Sequence, residues 1–269
     1  MIYPVCPKCG HAPLPANQAL PAACTACGLV LAKFGAMPMR MLRDDDIEPV
    51  DGVPTGSYLA RWLFHVPNKV ARTYWYARAA ALAAFALWTV SIFFGIDVRT
   101  GELGSSGFLH LVILPFHEEG HVFFRLFGEF VAILGGTLGQ HLMPIVLGVA
   151  LLVKRRDPFG AALFFWLLGY SVIDMAIYMY DAFDPQLMLL GGTTGAESDR
   201  HDWMNIFGDL GLMPNARRIG LFFGAVGRAM MCAGLTWAAY MVWLQKARLS
   251  DSPLAESDED RKQRKTPDE

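Results

Sequence analysis

Charge is scarce in this sequence. Asp, Glu, Lys and Arg make up 18% of its 269 residues and leave a net charge of −2, where a soluble chain carries about a quarter charged residues. No bulk basic character is present, so no nucleic-acid partner is expected. Cysteine is nearly absent after residue 27: only Cys232 remains, alone in an apolar run, and it reads as a small core residue. Histidine is rare, with seven in the chain. The opening Met1-Ile2-Tyr3-Pro4-Val5-Cys6 lacks a basic stretch followed by an apolar core, so no cleaved signal peptide is expected. No internal repeat is found.

What fills the sequence instead is hydrophobicity, at 54% of residues. It is concentrated in segments 79–96, 108–127, 130–153, 159–180 and 219–244. The first of these carries no charge over a length that suits a membrane crossing. The expected fold is mainly α: a polytopic membrane helix bundle of about four to five apolar segments, with a small N-terminal four-cysteine zinc ribbon. The expected parts are a ribbon at 1–35, a Pro-, Asp- and Gly-rich linker at 36–56, a membrane metalloprotease-like helical domain at 57–248 and a disordered charged tail at 249–269. Aromatic and basic residues alternate from Ser57 to Tyr76, which predicts an interfacial helix. Gly135-x-x-x-Gly139 and Gly220-x-x-x-Gly224 predict close helix packing.

Topology has two solutions. Lys69, Arg72 and Arg78 put the start of the first span on the cytosolic side. Five crossings then expel Lys154-Arg155-Arg156, whereas a re-entrant 108–127 segment returns that cluster to the cytosol with Lys246 and Arg248. Pro115 would suit a helix that begins midway across the membrane.

Four cysteines stand as Cys6-Pro7-Lys8-Cys9-Gly10 and Cys24-Thr25-Ala26-Cys27-Gly28. Paired C-x-x-C units at this separation predict a tetrahedral structural zinc site rather than two disulfides. The glycine after each pair suits the tight turn such a knuckle needs. Thiolate ligation favours a reducing, cytosolic compartment.

The second motif is His117-Glu118-Glu119-Gly120-His121, set in an apolar run. Two histidines four apart share a helical face and can share one zinc ion, with Glu118 beside it as general base. Glu119 points away and predicts an interhelical hydrogen bond. Ionisable groups in apolar helices usually face a polar interior, and here they form stripes. One is His110-His117-His121, another Gln140-His141, and a third Tyr170-Asp174-Tyr178-Asp181. The third zinc ligand is open among Asp174, His201 and Asp181, in that order. His141 and Asp202 are candidates for a supporting shell that orients the ligands.

These residues resemble the intramembrane zinc metalloproteases of the site-2-protease class. His117, Glu118 and His121 match the first element of that class, and Asp174 matches its later aspartate, although Met175 follows it where the family has glycine. The resemblance covers roughly residues 107–181. It implies hydrolysis of a peptide bond in or near the bilayer, with two zinc ions in the chain, one catalytic and one structural. The expected surroundings are a lipid bilayer, a membrane-protein or peptide substrate and a protein partner for the ribbon. The expected location is an inner or plasma membrane with the ribbon in the cytosol. Two other readings use the same residues: a non-catalytic membrane protein with a structural or metal-sensing polar core, and a divalent-metal transporter.

Overall fold

Each of the five apolar segments forms a helix. In the computed structural model the described residues are 3–6, 9–18, 22–31, 58–190, 192–198 and 200–250. The expected linker 36–56, Asp199 and the tail beyond residue 250 lie outside them. The chain divides into two compact units, Met1–Glu48 and Pro49–Glu269. The larger unit runs α1 (Tyr58–Leu63), β1 (Val70–Ala71), α2 (Arg72–Gly95), α3 (Gly107–Phe124), α4 (Glu129–Ala150), α5 (Pro158–Asp181), α6 (Asp202–Asp209), α7 (Ala216–Lys246) and β2 (Leu249–Ser250).

Local chemistry sets several boundaries. α5 begins where Asp157 accepts from the Gly160 amide and Pro158 takes the first helical position. α4 begins after Gly128, whose φ of 100° only glycine adopts readily. Among the described residues, four helices are long and apolar enough to cross a membrane: Arg72–Gly95, Glu129–Arg155, Pro158–Asp181 and Met213–Lys246. α3, interrupted by its histidines and glutamates, is not one of the four. Phe94, Leu87, Val146, Phe222 and Trp243 lie exposed on these helices. A helix apolar on its outer face as well as its inner one is built for lipid.

The core sits between α5 and its neighbours. Trp166, Tyr170, Ile173 and Ile177 pack with Ile92 and Ile96 of α2, Leu109 and Ile113 of α3, Met143 of α4 and Met231 of α7. α5 and α7 are antiparallel, and glycines bring their backbones together. A Cβ on Gly227 would stand 2.6 Å from the Gly169 carbonyl oxygen, and one on Gly234 would stand 2.9 Å from the Ala162 carbonyl oxygen. Gly220 and Gly224, singled out in the sequence, belong to this seam against Ala176 and Tyr180. Gly135 and Gly139 do the same for α3 and α4, where they face Gly120 and Phe116.

The first and last described stretches of the helical unit meet at one end of the bundle. Trp75 donates to the Val242 carbonyl at 2.9 Å, and β1 pairs in parallel with β2, Val70 opposite Leu249. Arg78 binds Asp157 at 3.1 Å, and the Arg156 guanidinium lies 4.9 Å from the centroid of the Trp62 ring. The starts of α2 and α5 and the ends of α4 and α7 therefore share that end. Contacts of α3 with α5 fall in the other half. The Ser106 carbonyl, just before α3, accepts from Tyr170; His110 meets Asp174; the His117 ring lies 6.4 Å from that of Tyr178.

Three expectations change, and the segment after α5 proves to hold a helix. The basic-aromatic stretch is not one interfacial helix: α1 ends at Leu63 and the chain passes through β1 before α2. Pro115 lies inside α3 and does not start it. Cys232 is exposed on α7, not buried in the core. The loop after α5 contains a helix, α6.

Candidate metal centre

In the small unit the two knuckles fold alike. The Gly10 amide donates to the Cys6 carbonyl and the Gly28 amide to the Cys24 carbonyl, each at 2.8 Å. Gly10 and Gly28 take φ of 73° and 70°, a conformation that glycine adopts without strain. The four cysteines are free thiols, with Cys6 Sγ 3.7 Å from Cys27 Sγ and Cys9 Sγ 3.8 Å from Cys24 Sγ. A tetrahedral ion with Zn–S bonds of about 2.3 Å spaces its sulfurs about 3.8 Å apart. The cluster fits a metal ion such as zinc.

In the helical unit, His117 and His121 project from α3 toward α4 and α6. His117 Nδ1 is 2.8 Å from Gln140 Oε1. The Gln140 amide nitrogen donates to the Ser171 carbonyl at 3.1 Å, which leaves its oxygen to accept from His117. His121 Nδ1 is 2.8 Å from the Ala132 carbonyl, so it too must donate. Both protons of the neutral imidazoles are thus spent at Nδ1, and both Nε2 atoms present lone pairs.

Those lone pairs converge. The two Nε2 atoms are 3.1 Å apart, and Asp202 Oδ2 lies 3.0 Å from the first and 3.3 Å from the second. Three such groups facing one another could hold a metal ion between them. An ion with bonds of about 2.0–2.1 Å in tetrahedral geometry sets its ligand atoms about 3.3–3.4 Å apart, close to the triangle seen here.

Gly136 roofs the triangle. A Cβ there would stand 2.5 Å from both Nε2 atoms, so glycine is what leaves this space open. This residue gave no signal in the sequence beyond its place beside Gly135.

The expected third ligands are engaged elsewhere. Asp174 Oδ1 lies 2.8 Å from His110 Nδ1. Asp181 accepts from the Gln186 amide at 2.8 Å, the Leu187 amide at 3.2 Å and His201 Nε2 at 3.2 Å. His201 is fully buried, and its Nδ1 accepts from the Met204 amide at 3.1 Å, so neither ring nitrogen is left for a metal. Asp202, assigned from sequence to the supporting shell, stands in the cluster with His117 and His121. Gln140 takes the supporting place expected of His141, whose Nδ1 donates instead to the Thr137 carbonyl at 2.6 Å. Glu118 and Glu119 are exposed and hydrogen-bond to no described residue. The interhelical bond expected of Glu119 is therefore not made with any described residue.

A scan of family models gives no match to this chain, and searches of curated proteins and of solved structures give none either.

Proposed function

We propose that this chain is a membrane-embedded zinc-dependent peptidase, with His117, His121 and Asp202 as the protein ligands of one zinc ion and the four cysteines as those of a second. The observation that carries the reading is the convergence, at 3.0–3.3 Å, of Asp202 from α6 with His117 and His121 from α3, the helix that also bears Glu118. This ligand set differs from that of the site-2-protease class, since its acid comes from the start of α6 and not from a spanning helix. Three protein ligands leave a fourth position open, as catalytic zinc sites do and structural ones do not.

A zinc ion held there would polarise a scissile carbonyl and make water a stronger acid. The protein's own groups do the rest. Gln140 and the Ala132 carbonyl hold the two rings in the tautomer that points Nε2 inward. Tyr178 accepts from the Asp202 amide at 3.3 Å and so helps fix the base of the acid. Glu118, one residue on from His117 and exposed, takes a proton during attack and returns it to the leaving amine.

We assign the basic end of the bundle, with Lys154, Arg155, Arg156, Lys246 and Arg248, to the cytosolic face on the positive-inside rule. The His117–His121–Asp202 cluster then belongs to the opposite half of the membrane. The location follows as an integral membrane protein, with lipid around the four spans and a membrane-protein or peptide substrate.

Two measurements test this together. Metal analysis of the purified chain should give two zinc ions, falling to one in His117→Ala. New peptide termini in membranes of expressing cells should vanish in Glu118→Gln while both zinc ions stay. Identical termini with and without the Glu118 carboxylate would favour a non-catalytic, metal-sensing core, and one zinc in the unaltered chain would remove the site altogether.

A further inference from the structure

The acid of the cluster does not belong to the bundle. Asp202 is the first residue of α6, at the far end of a loop of some twenty residues that begins after α5. A loop of that length leaves its end undetermined unless something ties it down, because ordering each residue costs about 1–2 kcal/mol of backbone entropy. A lone aspartate there would not stay within ligand reach of two imidazoles on another helix.

The residue just before it supplies the tie. His201 occupies the cap position of α6 with φ −88° and ψ 106°, and its Nδ1 accepts from the Met204 amide. That nitrogen therefore carries no proton, and Nε2 must carry one. Nε2–H donates to Asp181 Oδ2, at the last turn of α5, across 3.2 Å. The ring also lies over Tyr178, with centroids 4.0 Å apart. Gly195 closes the other side: a Cβ there would meet His201 Cδ2 at 2.7 Å and Pro185 Cβ at 2.8 Å. One side chain thus starts the helix, joins it to α5 and packs the loop.

We propose that His201 is the positioning residue of the metal centre, acting only through Asp202. It clamps the start of α6 to Asp181 and Tyr178 and so sets the adjacent carboxylate in front of His117 and His121. The proposal rests on Asp202 being a ligand. It gives the buried histidine, which touches no metal ligand through its ring nitrogens, a task that a core residue would not have.

The test is a double-mutant cycle on the full-length protein in detergent, read as zinc affinity by competition with a chromophoric chelator, with the four-cysteine zinc as internal reference. His201→Ala should weaken the second zinc tenfold or more, the scale at which groups that orient ligands act. In an Asp202→Asn background the same change should cost less than twofold, because the ligand it positions is already impaired. His201→Asn retains a good helix cap but loses the reach to Asp181, so an intermediate loss is expected. It takes the place of the alanine variant in the cycle should that variant fail to fold. Equal losses in both backgrounds, or no loss in either, overturn the positioning role. Unchanged zinc affinity in Asp202→Asn overturns the ligand assignment itself and this proposal with it.

Discussion

A five-residue pattern made the two imidazoles legible because helical geometry is regular. Residues four apart on a helix share a face, so His117 and His121 follow from counting. The third member of the cluster was not legible for the opposite reason. Asp174 stands where a carboxylate is costly, and that cost is met by His110 at 2.8 Å, a residue already visible on the α3 stripe. Asp202 reaches the site only through the fold of a loop, which no periodicity encodes. Gly136 carries the sharpest test at this scale. Alanine ordinarily gains about 0.5–1 kcal/mol over glycine inside a helix. Here its methyl would lie 2.5 Å from both Nε2 atoms, so the rings must turn away. Gly136→Ala should leave helical content unchanged by circular dichroism and lower metal analysis from two zinc ions to one. Two zinc ions in that variant would mean the rings do not converge on a shared ion.

At the scale of the element, hydropathy located five helices and missed their ends. Apolar runs mark the stretch that needs burial or lipid, but caps and turns set where a helix starts. α2 begins at Arg72 and α7 at Ala216, in sequence too polar to count as apolar. The small-residue seam was half legible. Gly220 and Gly224 are separated by the familiar spacing, yet Gly227 and Gly234 continue the same face against α5. Close approach matters more in a membrane than in water, since lipid removes the hydrophobic drive for helices to associate. Gly227→Ala would place its Cβ 2.6 Å from the Gly169 carbonyl oxygen and 2.6 Å from Ile173 Cγ1. Overpacking of this kind costs about 1–3 kcal/mol, which exceeds the propensity gain. Its thermal midpoint in detergent should fall, while Gly107→Ala, with nothing within 4 Å, should not lower it. Equal midpoints for the two variants would show that α5 and α7 do not rely on the seam.

For the molecule as a whole, the sequence left the number of crossings open, and the contacts between its ends bear on it. Five successive crossings would carry the start of α2 and the end of α7 to opposite faces. Trp75 instead donates to the Val242 carbonyl, and Val70 pairs with Leu249. An even number of crossings satisfies this, and α3 is the helix too polar to count. The contacts of α3 with α5 run from the Ser106 carbonyl at Tyr170, through His110 at Asp174, to His117 at Tyr178. These contacts lie in the second half of α5, whereas Lys154, Arg155, Arg156, Lys246 and Arg248 fall at the other end; Arg217, at the start of α7, stays on the α3 side, 4.0 Å from Asp184. Three exposed positions, Asn68, Lys154 and Ala196, separate the alternatives when each is changed to cysteine. A membrane-impermeant maleimide applied to intact cells should label Ala196→Cys. Asn68→Cys and Lys154→Cys should react only after permeabilisation, because α2 and α4 account for the two crossings between them. Labelling of Asn68→Cys and Lys154→Cys on opposite faces would require α3 to cross as a fifth span and would carry its imidazole pair across the membrane with it.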